Sequence, residues 1–264
     1  MANKLRVRGI DLIYEDLGKG DVVVFIHGQP FNRSMWNYQS QVFSKTNRLI
    51  IPDLRGYGES ITTESIVLLD ELALDIIYLL DELAIQKAVF VGLSMGGQVA
   101  LEIYRLAPHL VKGLVLADTD ARAENAASYL NRKQLAKSLL NYGMEKYTAE
   151  NIGHYLCQNT FNVKRDVLDH LRHMMITTDA AGAAAVQFGR AERRDHTDIL
   201  SNINFPTLII VGDQDEFTPV ATAEYMKTRM KGAELTIVKN AGHMPNMEQP
   251  EQFNQLLKDY LDKV

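Results

Sequence analysis

Cysteine is almost missing from this chain. Among 264 residues only Cys157 is one. No internal disulfide can form, so an oxidising compartment is not required. Long apolar runs are missing too: the longest hold about six residues, against the ~20 needed to cross a bilayer. The opening residues MANKLRVR contain no apolar stretch of signal-peptide type, so a cytoplasmic protein is expected. There is no excess of basic charge. Lys and Arg number 28 against 33 Asp and Glu, for a net charge of −5, and the pI is near 5.8. Neither nucleic acid nor a membrane surface is an expected partner of such a chain. No G-x-G-x-x-G or G-x-x-x-x-G-K-[ST] run occurs, so nucleotide use has no support. Internal repeats and low-complexity segments are missing as well.

What is present is an ordinary globular composition, 46% hydrophobic and 23% charged, long enough to bury a core without staples. Residues 5–16 alternate around Gly9 and predict a β-hairpin with one wet face. Six continuous apolar runs follow, at 22–26, 48–52, 88–92, 113–117, 207–212 and 235–238. Such runs mark parallel strands buried on both faces. Helical spacing is clear for Leu68, Leu69, Leu72, Ile76, Leu79, Leu80 and Leu83, and again for Phe253, Leu256, Leu257, Tyr260 and Leu261 after Pro250. Strands alternating with amphipathic helices predict an α/β fold: a mostly parallel sheet with helices on both faces. The rhythm breaks over 119–196, which has no strand-like run and reads as several short helices. The expected organisation is a core made of 1–118 and 197–264, interrupted after the sixth strand by a helical cap, or lid, at 119–196.

The chemistry concentrates at strand ends. Gly92-Leu93-Ser94-Met95-Gly96-Gly97 follows a buried run and precedes a helical pattern. This is G-x-S-x-G in a strand–turn–helix context, which presents a serine Oγ on a tight turn at the positive end of a helix. Gly92 and Gly96 keep side chains away from the two backbones that meet there. A serine hydroxyl needs a base, and the base needs an orienting acid. Seven histidines compete. His243, in Asn240-Ala241-Gly242-His243 after the last strand, stands where open α/β sheets place their sites. His27 also ends a strand. His170 and His173 have i, i+3 spacing, but with no accompanying ligand pattern they read as a solvated helix face. For the acid, Asp213, Asp215 and Glu216 all follow the strand at 207–212, and Asp118 or Asp120 is the fallback. The order Ser, acid, His is the order of a Ser-acid-His hydrolase. An oxyanion needs two backbone donors. Met95, after the nucleophile, supplies one; Gln29, in the loop that Gly28 lets turn back, supplies the other.

These residues resemble the α/β-hydrolase superfamily. HGQPFNRSMW (27–36), DLRGYGES (53–60), GLSMGG (92–97), VGDQDEFTP (211–219) and NAGHMPNMEQPEQF (240–253) are similar to its motif blocks, in order. The likeness is greatest to the group of 3-oxoadipate enol-lactonases and cofactor-free haloperoxidases, small carboxylesterases. It implies Ser94 as nucleophile, His243 as base, Asp215 as acid, Gln29 and Met95 as oxyanion donors, and His27, Gly28, Gly92 and Gly96 as the supporting turn residues. It implies no metal and no cofactor. Dehalogenases carry Asp where this chain has Ser94, and C–C bond hydrolases often carry Asn where it has Leu93. Gln29 departs from the aromatic residue frequent at that position, which implies a more polar acyl pocket. The expected reaction is hydrolysis of a small-molecule ester or lactone through an acyl-enzyme. A ligand receptor or signalling protein on the same fold, and a perhydrolase, are the alternatives, because fold alone does not fix function.

In the cap, Tyr129, Tyr142, Tyr147, Tyr155, Phe161 and Phe188 are expected mostly to pack the cap on the core rather than line a pocket, as are Met174 and Met175. Cys157 reads as a small buried residue.

Overall fold

The computed structural model describes residues 2–264. The hairpin forms as the alternation predicts. β1 (Asn3–Val7) and β2 (Ile10–Leu17) pair antiparallel, joined through Arg8 and Gly9, both at positive φ, as two-residue hairpin turns require. β3 (Val22–Ile26) leads through α1 (Asn37–Phe43) to β4 (Arg48–Pro52). α2 (Leu69–Glu82), β5 (Ala88–Leu93), α3 (Met95–Leu106) and β6 (Val111–Ala117) follow. Four helices come next: α4 (Ala126–Tyr155), α5 (Gln158–Val163), α6 (Arg165–Thr177) and α7 (Ala180–Ala191). The chain then completes the sheet with β7 (Thr207–Gly212), α8 (Val220–Lys227) and β8 (Glu234–Val238), and ends in α9 (Pro245–Glu248) and α10 (Pro250–Leu261).

The eight strands lie in the order β1-β2-β4-β3-β5-β6-β7-β8. From β4 to β8 the pairs are parallel, and β2 meets β4 antiparallel. β5 and β7 are buried along their whole length, and β3 at all but its first residue. This is why they read as unbroken apolar runs rather than as alternations. From β3 the chain goes to β4 on one side, while β5 lies on the other. The strand order therefore reverses beside β3, which opens a crevice at the carboxyl ends of β3 and β5.

Two features of 119–196 differ from the sequence reading. Its first helical segment, Ala126–Tyr155, is a pair of helices run end to end with no loop between them. It is broken at Gly143 (φ 75°, ψ −179°), which shifts the inward face part-way along and erases a single apolar stripe. α7 is rich in alanine and glycine, which brings its backbone against the core. A Cβ on Gly182 would lie 2.3 Å from Gly56 O, and Val67 N donates to Ala185 O (3.0 Å). Neither α1 nor α8 stands out in the sequence pattern, because two turns show too little of a helical period. No helix among the described residues is long and apolar enough to cross a membrane.

Candidate active site

Ser94 sits between the end of β5 and the start of α3 with φ +56° and ψ −117°, a conformation that an L-residue adopts only under constraint. The surroundings supply the constraint. Ser94 N donates to Ala117 O (2.8 Å), and Ser94 O accepts from Thr119 Oγ1 (2.6 Å) and Gly97 N (3.0 Å). The turn closes only because two residues lack a Cβ. One on Gly92 would stand 2.3 Å from Gly96 O, and one on Gly96 2.0 Å from Ile26 O.

His243 is 2% exposed and follows β8. Its Nδ1–H donates to Asp215 Oδ2 (2.9 Å), which leaves Nε2 as the acceptor. Asp215 is held in turn. Its Oδ1 accepts from Phe217 N (2.8 Å) and Thr218 N (3.2 Å), and its Oδ2 from Thr218 Oγ1. Burial alone would raise this carboxyl, but the His243 charge and the His243 and Thr218 hydrogen bonds outweigh it and hold the group below the usual carboxylate range. Ser94 and His243 open on one cavity of about 520 Å³. Among the described residues no hydrogen bond joins Ser94 Oγ to His243; such contacts are commonly long in ligand-free sites.

Of the competing acids, Asp213 points to Ala241 N and the exposed Lys239, and Asp120 pairs with Arg122. Asp118 is fully enclosed beside Asp215. Its Oδ1 accepts from Gly212 N (2.9 Å), and its Oδ2 has no partner among the described residues. Burial first, then the Asp215 charge, raise its pKa well above the usual range. Asp118, Asp215 and His243 bring donor atoms within 4.8 Å of one another. Those are ligand types that suit a metal, but the Asp215–His243 bond already uses His243 Nδ1.

His27 is built into the wall. Leu54 N donates to its Nε2 (2.9 Å), so its Nδ1–H is the one facing Gly28 O (2.8 Å). Burial lowers its pKa, in keeping with a neutral ring. The loop that it braces carries Gln29. Neither Gln29 N nor Met95 N donates to any group among the described residues. Both are therefore free for a ligand oxygen.

The sequence reading of the remaining histidines needs one correction. His170 is not solvated: it is half-buried and bonds Ser34 Oγ through Nε2 (2.9 Å), because α6 packs over the 3₁₀ turn at 33–36. Among the cap aromatics Tyr147 and Tyr155 line the cavity and bond each other through their hydroxyls (2.7 Å). Phe161 and Phe188 pack against the core, whereas Tyr142 is 61% exposed and does neither. Met174, Met175 and Cys157 are buried.

The sequence reading missed several cavity residues, namely Gln98, Phe217 and a set of arginines, Arg122, Arg132, Arg190 and Arg193. It also missed Glu248, fully buried on α9. Its Oε1 accepts from Gly242 N (2.7 Å) and Met244 N (3.3 Å), which flank His243, and its Oε2 from Cys157 N (2.8 Å). His243 N itself donates to Tyr155 O (2.9 Å). Glu248 thus ties the histidine loop to the end of α4. Glu248→Gln turns an amide NH2 toward a backbone N–H. It is expected to cost about 2 kcal/mol of stability, read as a lower urea midpoint with unchanged slope.

The sequence profile described as "Alpha/beta hydrolase family" matches residues 23–256. The chain belongs to the alpha/beta hydrolase family. As a member of that family it is similar to 3-oxoadipate enol-lactonase 2 of Acinetobacter baylyi, 28% identical over 256 residues that span 96% of this chain and 94% of that protein. It is 30% identical to a putative non-heme chloroperoxidase of Synechocystis over 264 residues, 96% of this chain and 95% of that one. Among solved structures, a thermophilic esterase from Thermogutta terrifontis, described with malate bound, superposes with a TM-score of 0.96 at 34% identity. The match covers 100% of this chain and 98% of that one. In this alpha/beta hydrolase the eight-stranded sheet brings together Ser94 and Met95, His243, Asp215 and Gln29 from four separate segments. His27, Gly28, Gly92 and Gly96 shape the turns beneath them.

Proposed function

We propose that the chain is a serine hydrolase that cleaves a carboxylic ester or lactone of a small molecule through an acyl-enzyme. One observation carries the reading. A buried Asp215 fixes the tautomer of His243, so that its basic Nε2 opens on the same cavity as the strained Ser94. In this reading Ser94 Oγ attacks the carbonyl and His243 Nε2 takes its proton. The Gln29 and Met95 N–H groups stabilise the oxyanion. The leaving alkoxide takes the proton from His243. Water, activated by the same nitrogen, then releases the acid. Helices α4–α7 act as the lid, with Tyr147 and Tyr155 in its inner face. The similarity to an enol-lactonase and an esterase supports an ester or lactone as the substrate. No step calls for a metal or an organic cofactor.

The test is chemical. A fluorophosphonate probe is expected to add one phosphonyl group per chain, located on Ser94 by peptide mass analysis, and to stop the hydrolysis of a short p-nitrophenyl ester. Labelling elsewhere, or hydrolysis that survives full labelling of Ser94, overturns the assignment. Tight binding of a small ester with fewer than about one turnover would favour the receptor reading.

A further inference from the structure

The wall of the cavity above Ser94 carries more positive than negative charge, although the chain as a whole is acidic. Arg122 pairs with Asp120 (2.8 Å), and Arg132 and Arg193 share the single carboxylate of Glu124 (2.6 and 2.8 Å). Arg190 has no acidic partner among the described residues, yet it is only 7% exposed. Its Nη1 donates to Gln29 Oε1 and its Nε to Gln98 Oε1, both at 3.3 Å, while Nη2 donates to nothing among the described residues. Burial first, then the charges of Arg132 and Arg193, lower its pKa. A buried cation held only by two amide oxygens is costly unless an anion completes it. A second observation points the same way. Gln29 is 4% exposed, its Oε1 is taken by Arg190, and its Nε2 has no partner. Two unused donors, Arg190 Nη2 and Gln29 Nε2, thus belong to side chains already bonded to each other, Arg190 reaching from α7 to Gln29 on the loop that follows β3.

We propose that Arg190 and Gln29 form a carboxylate subsite, so that the ester or lactone taken by this cavity carries a second, ionised carboxyl group. A planar carboxylate offers two oxygens to two neighbouring donors, and charge-assisted hydrogen bonds to it are among the stronger ones. The carboxylate can sit on the acyl part or on the alcohol part. α7 presses its Ala/Gly-rich face onto the core, which fixes where Arg190 stands. The inference rests on the hydrolase reading for its reaction, but not for its anion.

The experiment separates the two. Wild type is given two pairs of esters: monomethyl glutarate against its primary amide, with the charge on the acyl side, and 3-(butanoyloxy)propanoate against its primary amide, with the charge on the alcohol side. In at least one pair kcat/KM is expected to favour the charged ester by about tenfold or more, and that pair names the side. Arg190→Met is expected to bring the ratio below about threefold, and Arg190→Lys to retain part of it. The ratio is the readout, so a fall in both rates from a merely structural role for Arg190 does not move it. Ratios near one in wild type, or a preference that survives in Arg190→Met, overturn the subsite. If wild type cleaves none of the four, the hydrolase reading is judged by the fluorophosphonate test above, and the anion by calorimetry on wild type. Glutarate binding about tenfold tighter than glutaramide supports the subsite, and equal affinity overturns it.

Discussion

Ser94→Ala is expected to lower kcat toward a short p-nitrophenyl ester by on the order of 10⁶, leaving a residual rate above that of the uncatalysed reaction. The substitution removes one oxygen and nothing else. Ser94 Oγ takes part in no hydrogen bond among the described residues, and the turn is held through the Ser94 backbone by Ala117, Thr119 and Gly97. Alanine keeps that backbone, so the melting temperature is expected to change little. The Gln29 and Met95 N–H groups and His243 also remain in place, and in the proposed mechanism they supply the residual rate. Because the fold is retained, a loss of activity reports on chemistry. Turnover within about tenfold of wild type would remove Ser94 from the mechanism altogether, since no such residue can be spared from covalent catalysis.

Asp215→Asn is expected to cost about 10⁴ in kcat, whereas Asp118→Asn, one side chain away, is expected to cost less than about tenfold. The two acids share a buried corner, but only Asp215 accepts from His243 Nδ1. An asparagine there turns an NH2 toward the ring or forces the other tautomer, so Nε2 no longer accepts a proton from serine. Asp118 behaves differently. Burial and the neighbouring Asp215 charge raise its pKa, and asparagine imitates the protonated carboxyl that such a shift favours: it keeps an oxygen for Gly212 N and offers a donor to Asp215.

Stability against pH separates the two acids by sign. Asp215 is depressed in the folded chain, so its contribution is present above the unfolded value of ~3.9 and is lost as pH falls through the folded one. Asp118 is raised, so its contribution is complete below ~3.9 and is lost as pH rises toward the folded value. Urea midpoints of wild type and Asp118→Asn at about pH 4 and pH 7 check this: the variant is expected to gain on wild type as pH rises. A gain in the opposite direction would mean that Asp118 is ionised in the fold, and would return it to contention as the acid.

The position of the acid was only half legible in the sequence. Asp118 and Asp215 both stand just past a buried parallel strand, and chain order alone allowed either. What separates them is a contact between residues 28 apart in sequence, Asp215 and His243, formed at the ends of adjacent strands. His27 was legible as a strand-end residue, but its service to Leu54 and Gly28 depends on where the segment after β4 returns. Glu248 was not legible at all. It reads as one more charge before a helix-starting proline, until the fold buries it under three backbone N–H groups.

By itself the sequence determined the strands, the three longest helices of the sheet layer, and the turn that carries Ser94. These are properties of short segments. A strand buried on both faces must be apolar throughout, a helix on a sheet must repeat its apolar residues every turn, and a serine turn squeezed between two backbones must have glycine at Gly92 and Gly96. The tertiary structure alone decided what holds Asp215 and His243 in place, how the helices between β6 and β7 bend at Gly143, and what lines the cavity. Arg190 meets Gln98 and Gln29 across 92 and 161 residues. Such pairings leave no period and no local motif, because they are set by how whole elements pack and not by the preferences of the residues within any one of them.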